Sequence, residues 1–183
     1  MEKWLPAYPN IYGKITIRQL LNLTSGIDDF VGDPQSPYRI GYRNIEYKKI
    51  WTWKEILTVF VKEPDFNPGD ACAYSTTNYI VLKQIIEKAC RSRQIIEMQN
   101  RVLTPYHLDH TLVDFFNPIP KNRQIAHGWY DIEGDGKPDD ISGTSLNWIA
   151  SLSPMLVYST PEDMVKWMDA LFHKKTVLKP ETL

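Results

Sequence analysis

The 183 residues predict an α+β fold in which helix dominates. Two features carry that expectation. Apolar residues recur at spacings of three and four along several stretches, three of which open on strong helix-capping signals. Short alternating runs with Gly-rich turns, the pattern of strands, are confined to 114–153.

The first helix opens at Thr16, where Thr16-Ile17-Arg18-Gln19 forms a capping box: the threonine hydroxyl accepts from the third backbone N–H, and the glutamine reaches back. Leu20, Leu21 and Leu23 continue it, and Gly26 reads as its C-terminal cap. A second box, Thr52-Trp53-Lys54-Glu55, starts a helix whose inner face is expected to carry Ile56, Val59 and Phe60, with Pro64 as the stop. From Thr77 to Arg91 a stripe of Ile80, Val81, Ile85, Ile86 and Ala89 predicts a core-facing helix. Another helix is expected from Gln94 to Leu103. The stretch from Asp114 to Ser153 reads as loops with a hairpin around Glu133-Gly134-Asp135-Gly136. Finally, Ser159-Thr160-Pro161-Glu162-Asp163 starts a helix, with proline in the first turn and acids near the positive end, followed by Met164, Trp167, Met168 and Leu171.

Composition narrows the functional classes. Hydrophobic residues make up 43% and aromatic residues 12%, which places the chain with packed proteins and not with disordered ones. Lysine and arginine number 21 against 22 acids, scattered along the chain, so no field of one sign exists to hold nucleic acid. No apolar run approaches the roughly 20 residues that span a bilayer. With no repeat or flexible linker, one continuous domain over 1–183 is the simplest organisation. Cys72 and Cys90 lie toward opposite ends of the predicted 77–91 helix, roughly 20 Å apart. That exceeds the reach of a disulfide, about 7 Å between α-carbons, so two free thiols are expected.

Three stretches resemble the serine beta-lactamase and D-alanyl-D-alanine carboxypeptidase family, in its class C and esterase-like branch. Ile15-Thr16-Ile17-Arg18-Gln19-Leu20-Leu21-Asn22-Leu23-Thr24-Ser25-Gly26-Ile27 is similar to the family's segment behind its nucleophile helix. Phe66-Asn67-Pro68-Gly69 with Tyr74-Ser75-Thr76-Thr77-Asn78-Tyr79 resembles its tyrosine motif, and Tyr158-Ser159-Thr160-Pro161-Glu162-Asp163-Met164 a third landmark. All three stand in the family's order. The resemblance implies the helical lobe of the penicillin-recognising fold, with the main sheet largely absent from this chain. It also implies an acyl-enzyme mechanism, in which a serine of a Ser-x-x-Lys motif attacks an amide or ester carbonyl and a tyrosine takes the proton.

By that resemblance Tyr74 is the catalytic residue and Thr76 the substrate-binding one. A tyrosine acts as a base only where nearby cations lower a phenol pKa that is ordinarily about 10. The family reads Tyr-x-Asn, whereas this chain reads Tyr74-Ser75-Thr76, so a hydroxyl with one donor replaces a carboxamide. The sequence contains no Ser-x-x-Lys and ends before a Lys/His-x-Gly strand. The expectation is therefore a fragment of a hydrolase, inactive by itself, whose parent acts on a beta-lactam, a D-alanyl peptide or a small ester. Periplasmic or secreted location follows from the family, and no cofactor is expected. A non-catalytic binding module with the same fold is the alternative, favoured by Thr76 and by the missing nucleophile. Without the sheet, exposed apolar surface should drive self-association.

Other motifs read as structure. Ser25 closes a helix and lacks the Gly-x-Ser-x-Gly elbow of a nucleophile. His107, His110 and His127 have no helical i, i+4 pairing for a metal, and none is expected. Asp131-Ile132-Glu133-Gly134-Asp135-Gly136-Lys137-Pro138-Asp139 imitates a calcium loop, which would make a third reading, a calcium-stabilised interaction domain. Ser142 stands where the bidentate glutamate belongs, so a plain hairpin turn is the expectation.

Overall fold

The structure, a computed structural model, describes residues 2–32, 51–113, 125–131, 134–140, 157–179 and 182. Helix α1 spans Ile17–Leu21, and both halves of its capping box form: Gln19 N–H donates to the Thr16 hydroxyl at 3.2 Å, and Thr16 N–H to Gln19 Oε1 at 2.9 Å. It ends earlier than expected. Asn22 is the C-cap and Leu23 takes φ 63, so Gly26 does not close the helix. Gly26, at φ 74, serves a different purpose: a Cβ there would stand 2.0 Å from the carbonyl oxygen of Phe66.

A short 3-10 turn, Phe30–Gly32, follows, then α2 at Trp53–Val59, again with its capping box intact. The buried face of α2 is Ile56 and Leu57 with Phe60, while Val59 is exposed, contrary to the spacing-based expectation. The helix stops at its Phe60 cap, ahead of Pro64. Helix α3, Thr76–Cys90, is the longest and buries Ile80, Val81, Leu82 and Ile85, but Ile86 and Ala89 face outward. Arg91 closes it in the left-handed conformation. Cys72 and Cys90 are both free and exposed.

Helix α4, Gln94–Met98, runs on into a π turn at Gln99–Leu103, and α5, Pro161–Met168, into another at Asp169–His173. Strands β1, Trp129–Tyr130, and β2, Asp139–Asp140, pair antiparallel in the predicted hairpin. Both oxygens of Asp131 close its turn by accepting from backbone N–H groups, those of Gly134 at 2.6 Å and Gly136 at 2.8 Å among them. The carboxylate at the first position of the calcium-like sequence is thus occupied by the turn itself. Residues 114–124, 132–133 and 141–156, and with them Ile132, Glu133 and Ser142, lie outside the described residues.

The main core runs from Ile15 and Leu20 through Ile56 and Leu57 to Ile80 and Val81. Each such side chain, fully buried, contributes about 1.5–3 kcal/mol of transfer free energy. Trp51 packs edge-on against Phe60 at 4.8 Å. Elsewhere Leu103, Leu108 and Ala170 are buried, and Tyr106 packs edge-on against Trp167 at 5.7 Å.

Candidate active site

The first two landmark stretches meet in space through the backbone. Gly26 O accepts from Asp65 N–H at 2.9 Å, Thr24 O from Gly69 N–H at 2.8 Å, and Leu23 O from Ala73 N–H at 3.0 Å. This ladder lays the 65–73 loop along 23–26, and it explains the glycine at 26, since any side chain would separate the two. Tyr74 emerges one residue beyond the last rung. The residue is 65% exposed, and its ring lies 6.2 Å from that of Tyr79.

The N-terminus of α3 behind Tyr74 is tied to the loop 25–30. Ser75 and Thr77 both donate hydroxyls to Asp28 O, at 3.3 Å and 2.8 Å, and Phe30 N–H donates to the Thr77 hydroxyl at 3.2 Å. Deeper in, the Ser25 hydroxyl donates to Asn78 Oδ1 at 2.7 Å and accepts from Ile27 N–H. Ser25 is buried, in keeping with a structural role. Asn78 is also fully buried, and its Nδ2 has no partner among the described residues, so it stands inside the protein and not beside Tyr74.

Thr76, half-buried, donates its hydroxyl to Asp29 Oδ2 at 3.4 Å. Asp29 also accepts from Val31 N–H at 3.3 Å. Burial pushes its carboxyl above the usual range, with help from the neighbouring Asp28 charge, although the N–H groups of Val31 and Thr76 and the Thr76 hydroxyl pull the other way. Nothing in the local sequence marks Asp29, which meets Thr76 only because the fold brings residues 47 apart together.

The third landmark docks elsewhere. Tyr158 and Leu112 form an antiparallel bridge, and fully buried Asp163 accepts from His110 N–H at 2.8 Å, the Thr111 hydroxyl at 2.9 Å and Lys166 Nζ at 2.9 Å. Lys166 also donates to His107 O at 2.8 Å. Because Thr111 gives its one proton to Asp163, Ser159 is the donor in their 2.8 Å contact. A hollow of about 280 Å³ opens here, lined by His110, Leu112, Tyr158 and Ser159 among others, but by neither Tyr74 nor Thr76. His127 pairs with Asp140 at 2.8 Å on the hairpin. Among the described residues no cluster of three metal-ligating side chains occurs, and no helix is long and apolar enough to cross a membrane.

A helical lobe with a tyrosine loop laid against the segment 15–27 defines a class, and comparison with known proteins agrees: the beta-lactamase family profile matches residues 1–182. The chain belongs to the beta-lactamase family, and its described part is the mostly helical lobe of the penicillin-recognising hydrolase fold. It is 27% identical over 98% of its length to penicillin-binding protein 4* of Bacillus subtilis. Among solved structures it resembles the D-stereospecific amidohydrolase of a Streptomyces species, with 28% identity over 98% of this chain and a TM-score of 0.78. The D-amino acid amidase of Ochrobactrum anthropi, complexed with L-phenylalanine amide, gives 26% identity over 98% of this chain and a TM-score of 0.74. The chain spans 40% of the Bacillus protein, 54% of the amidohydrolase and 49% of the amidase.

Proposed function

We propose that this chain supplies the helical lobe of a serine hydrolase and that Tyr74 is its general base, with Thr76 at the substrate. The observation that carries the reading is the setting of Tyr74: an exposed phenol on a backbone held by Ala73 N–H on one side and the buried Ser75 on the other. A base must be held yet reachable, and a held backbone with an exposed side chain at Tyr74 supports that role. In the reaction, the serine hydroxyl attacks the carbonyl carbon of an amide, ester, beta-lactam or D-alanyl peptide while the phenolate takes its proton. The tetrahedral intermediate expels the amine or alcohol, which receives that proton, and water then hydrolyses the acyl-serine. The serine and the lysine that would lower the phenol pKa come from a Ser-x-x-Lys segment, which these 183 residues do not contain. The names of the amidohydrolase and the amidase favour a small amide of a D-amino acid. A periplasmic or secreted location, one partial domain over 1–183 and self-association through apolar surface belong to the same reading.

Two assays test it. The chain alone should hydrolyse nitrocefin and p-nitrophenyl acetate no faster than Tyr74→Phe. Grafted in place of the matching half of the amidohydrolase, it should restore turnover, and Tyr74→Phe should then cost on the order of a hundredfold or more. Turnover by the chain alone that vanishes in Tyr74→Phe would place the nucleophile among these residues. A graft indifferent to Tyr74→Phe would favour the binding-module alternative, in which the cleft persists without the chemistry.

A further inference from the structure

We propose that Thr76 and Asp29 together form a subsite for a protonated amine, so that this protein selects amino-acid amides with a free amino group over N-acylated ones. The inference rests on the reading of Tyr74 as the residue facing substrate, and it deepens that reading by naming the substrate class. It begins with the direction of one hydrogen bond. The family's asparagine presents amide N–H donors, suited to a carbonyl of the substrate. Thr76 has a single proton and gives it to Asp29 Oδ2 at 3.4 Å, which leaves its oxygen free to act only as an acceptor.

No neighbour restores the lost donor. Ser75 and Thr77 spend their hydroxyl protons on Asp28 O, and the one carboxamide in the first turn of α3, Asn78, is fully buried with its oxygen on Ser25. Asp28 does not share the role of Asp29, because its carboxylate accepts from Lys62 N–H at 2.9 Å. Among the side chains of this turn a carbonyl would therefore meet acceptors, whereas an ammonium could use the Thr76 oxygen and the lone pair that Asp29 keeps beyond the bonds it accepts from Val31 N–H, Thr76 N–H and the Thr76 hydroxyl.

Charge points the same way. Asp29 is half-buried, and among the described residues no lysine, arginine or histidine forms an ion pair with it. Its elevated pKa is the sign of an anion incompletely compensated where it sits. A cationic ligand group would supply that compensation, and charge-assisted hydrogen bonds to a partly desolvated carboxylate are stronger than neutral ones.

The test is a binding measurement on the full chain, so that it does not depend on turnover. D-phenylalanine amide and N-acetyl-D-phenylalanine amide, which differ in the charge on one nitrogen, are titrated and followed by amide chemical shifts. The free amine should shift the Asp29 and Thr76 signals saturably and bind about tenfold or more tightly than the acetylated compound. Asp29→Asn should erase the difference, Asp29→Glu should keep most of it, and Thr76→Asn should move the preference toward the acetylated compound. Equal binding of the two compounds, no binding of either, or an unchanged preference in a folded Asp29→Asn chain overturns the proposal. Tyr74→Phe should leave the preference intact, so a failure of Tyr74 as base and a failure of this subsite give different results.

Discussion

Asp163 shows how a single side chain acquires a role that its own neighbourhood in the sequence does not announce. In Ser159-Thr160-Pro161-Glu162-Asp163 it reads as one of two acids favoured by the positive end of a helix, and Glu162 is an exposed example of that. Asp163 is instead fully buried, and its partners His110 and Thr111 stand more than 50 residues away. Burial works to raise its pKa, but the hydrogen bonds from Lys166, His110 N–H and Thr111 outweigh it and the net shift is downward. The folded state therefore holds this proton less tightly than the unfolded chain does. The stabilisation is fully present above the ordinary aspartate value, about 3.9, and is lost as pH falls through the lower folded value. Asp163→Ala leaves a buried N–H and a hydroxyl without an acceptor and should cost about 1–3 kcal/mol at neutral pH. Urea unfolding at a series of pH values checks both points: the gap between wild type and variant should narrow below pH 4, and a constant gap would refute the linkage.

At the scale of elements, what the sequence made legible was whatever it encodes locally. The capping boxes at Thr16 and Thr52 and the Thr160-Pro161 start all form where they were expected, because each needs only residues three apart. Helix faces were less legible: Val59, Ile86 and Ala89 fit the spacing yet point outward, since the buried face is chosen by the packing partner. The two π turns have no recognised sequence pattern. Tyr74 and Thr76 are singled out by a motif, whereas Asp29 meets Thr76 only through a contact between residues 47 apart. Gly26 is the clearest misreading. It looks like a helix cap, and it is required instead because the Phe66 carbonyl fills the space of a side chain. Gly26→Ala combines a positive φ with that collision, so a loss of about 2–4 kcal/mol is expected, with the 65–73 ladder displaced. Thermal melting measures it. An alanine variant as stable as wild type would mean that the two loops do not touch.

For the whole molecule, the telling surface is α5 and its π extension. One side packs through Trp167 and Ala170, while Met164, Val165, Met168 and Phe172 form a stripe that remains open, with Val165 68% and Phe172 57% exposed. An apolar stripe of this kind on a folded protein commonly marks an interface. Sedimentation velocity should show reversible self-association that rises with concentration and disappears in Val165→Glu with Met168→Glu. Monomers at every concentration, or association untouched by those changes, would exclude this stripe as the contact.

The ladder between 23–26 and 65–73 also governs when Tyr74 takes its place in the fold. Each hydroxyl bond that fastens the start of α3 to the loop 25–30 joins residues 47 to 53 apart, so none can form until a large loop of chain has closed. Loop closure carries an entropic cost that grows only logarithmically with length, which makes the arrangement tolerant of insertions between the two segments. It also makes it late. The capping boxes can nucleate their helices from local residues, but Tyr74 gains its orientation only once the distant segments have docked, so a chain stalled partway through folding would carry its helices without its tyrosine in place.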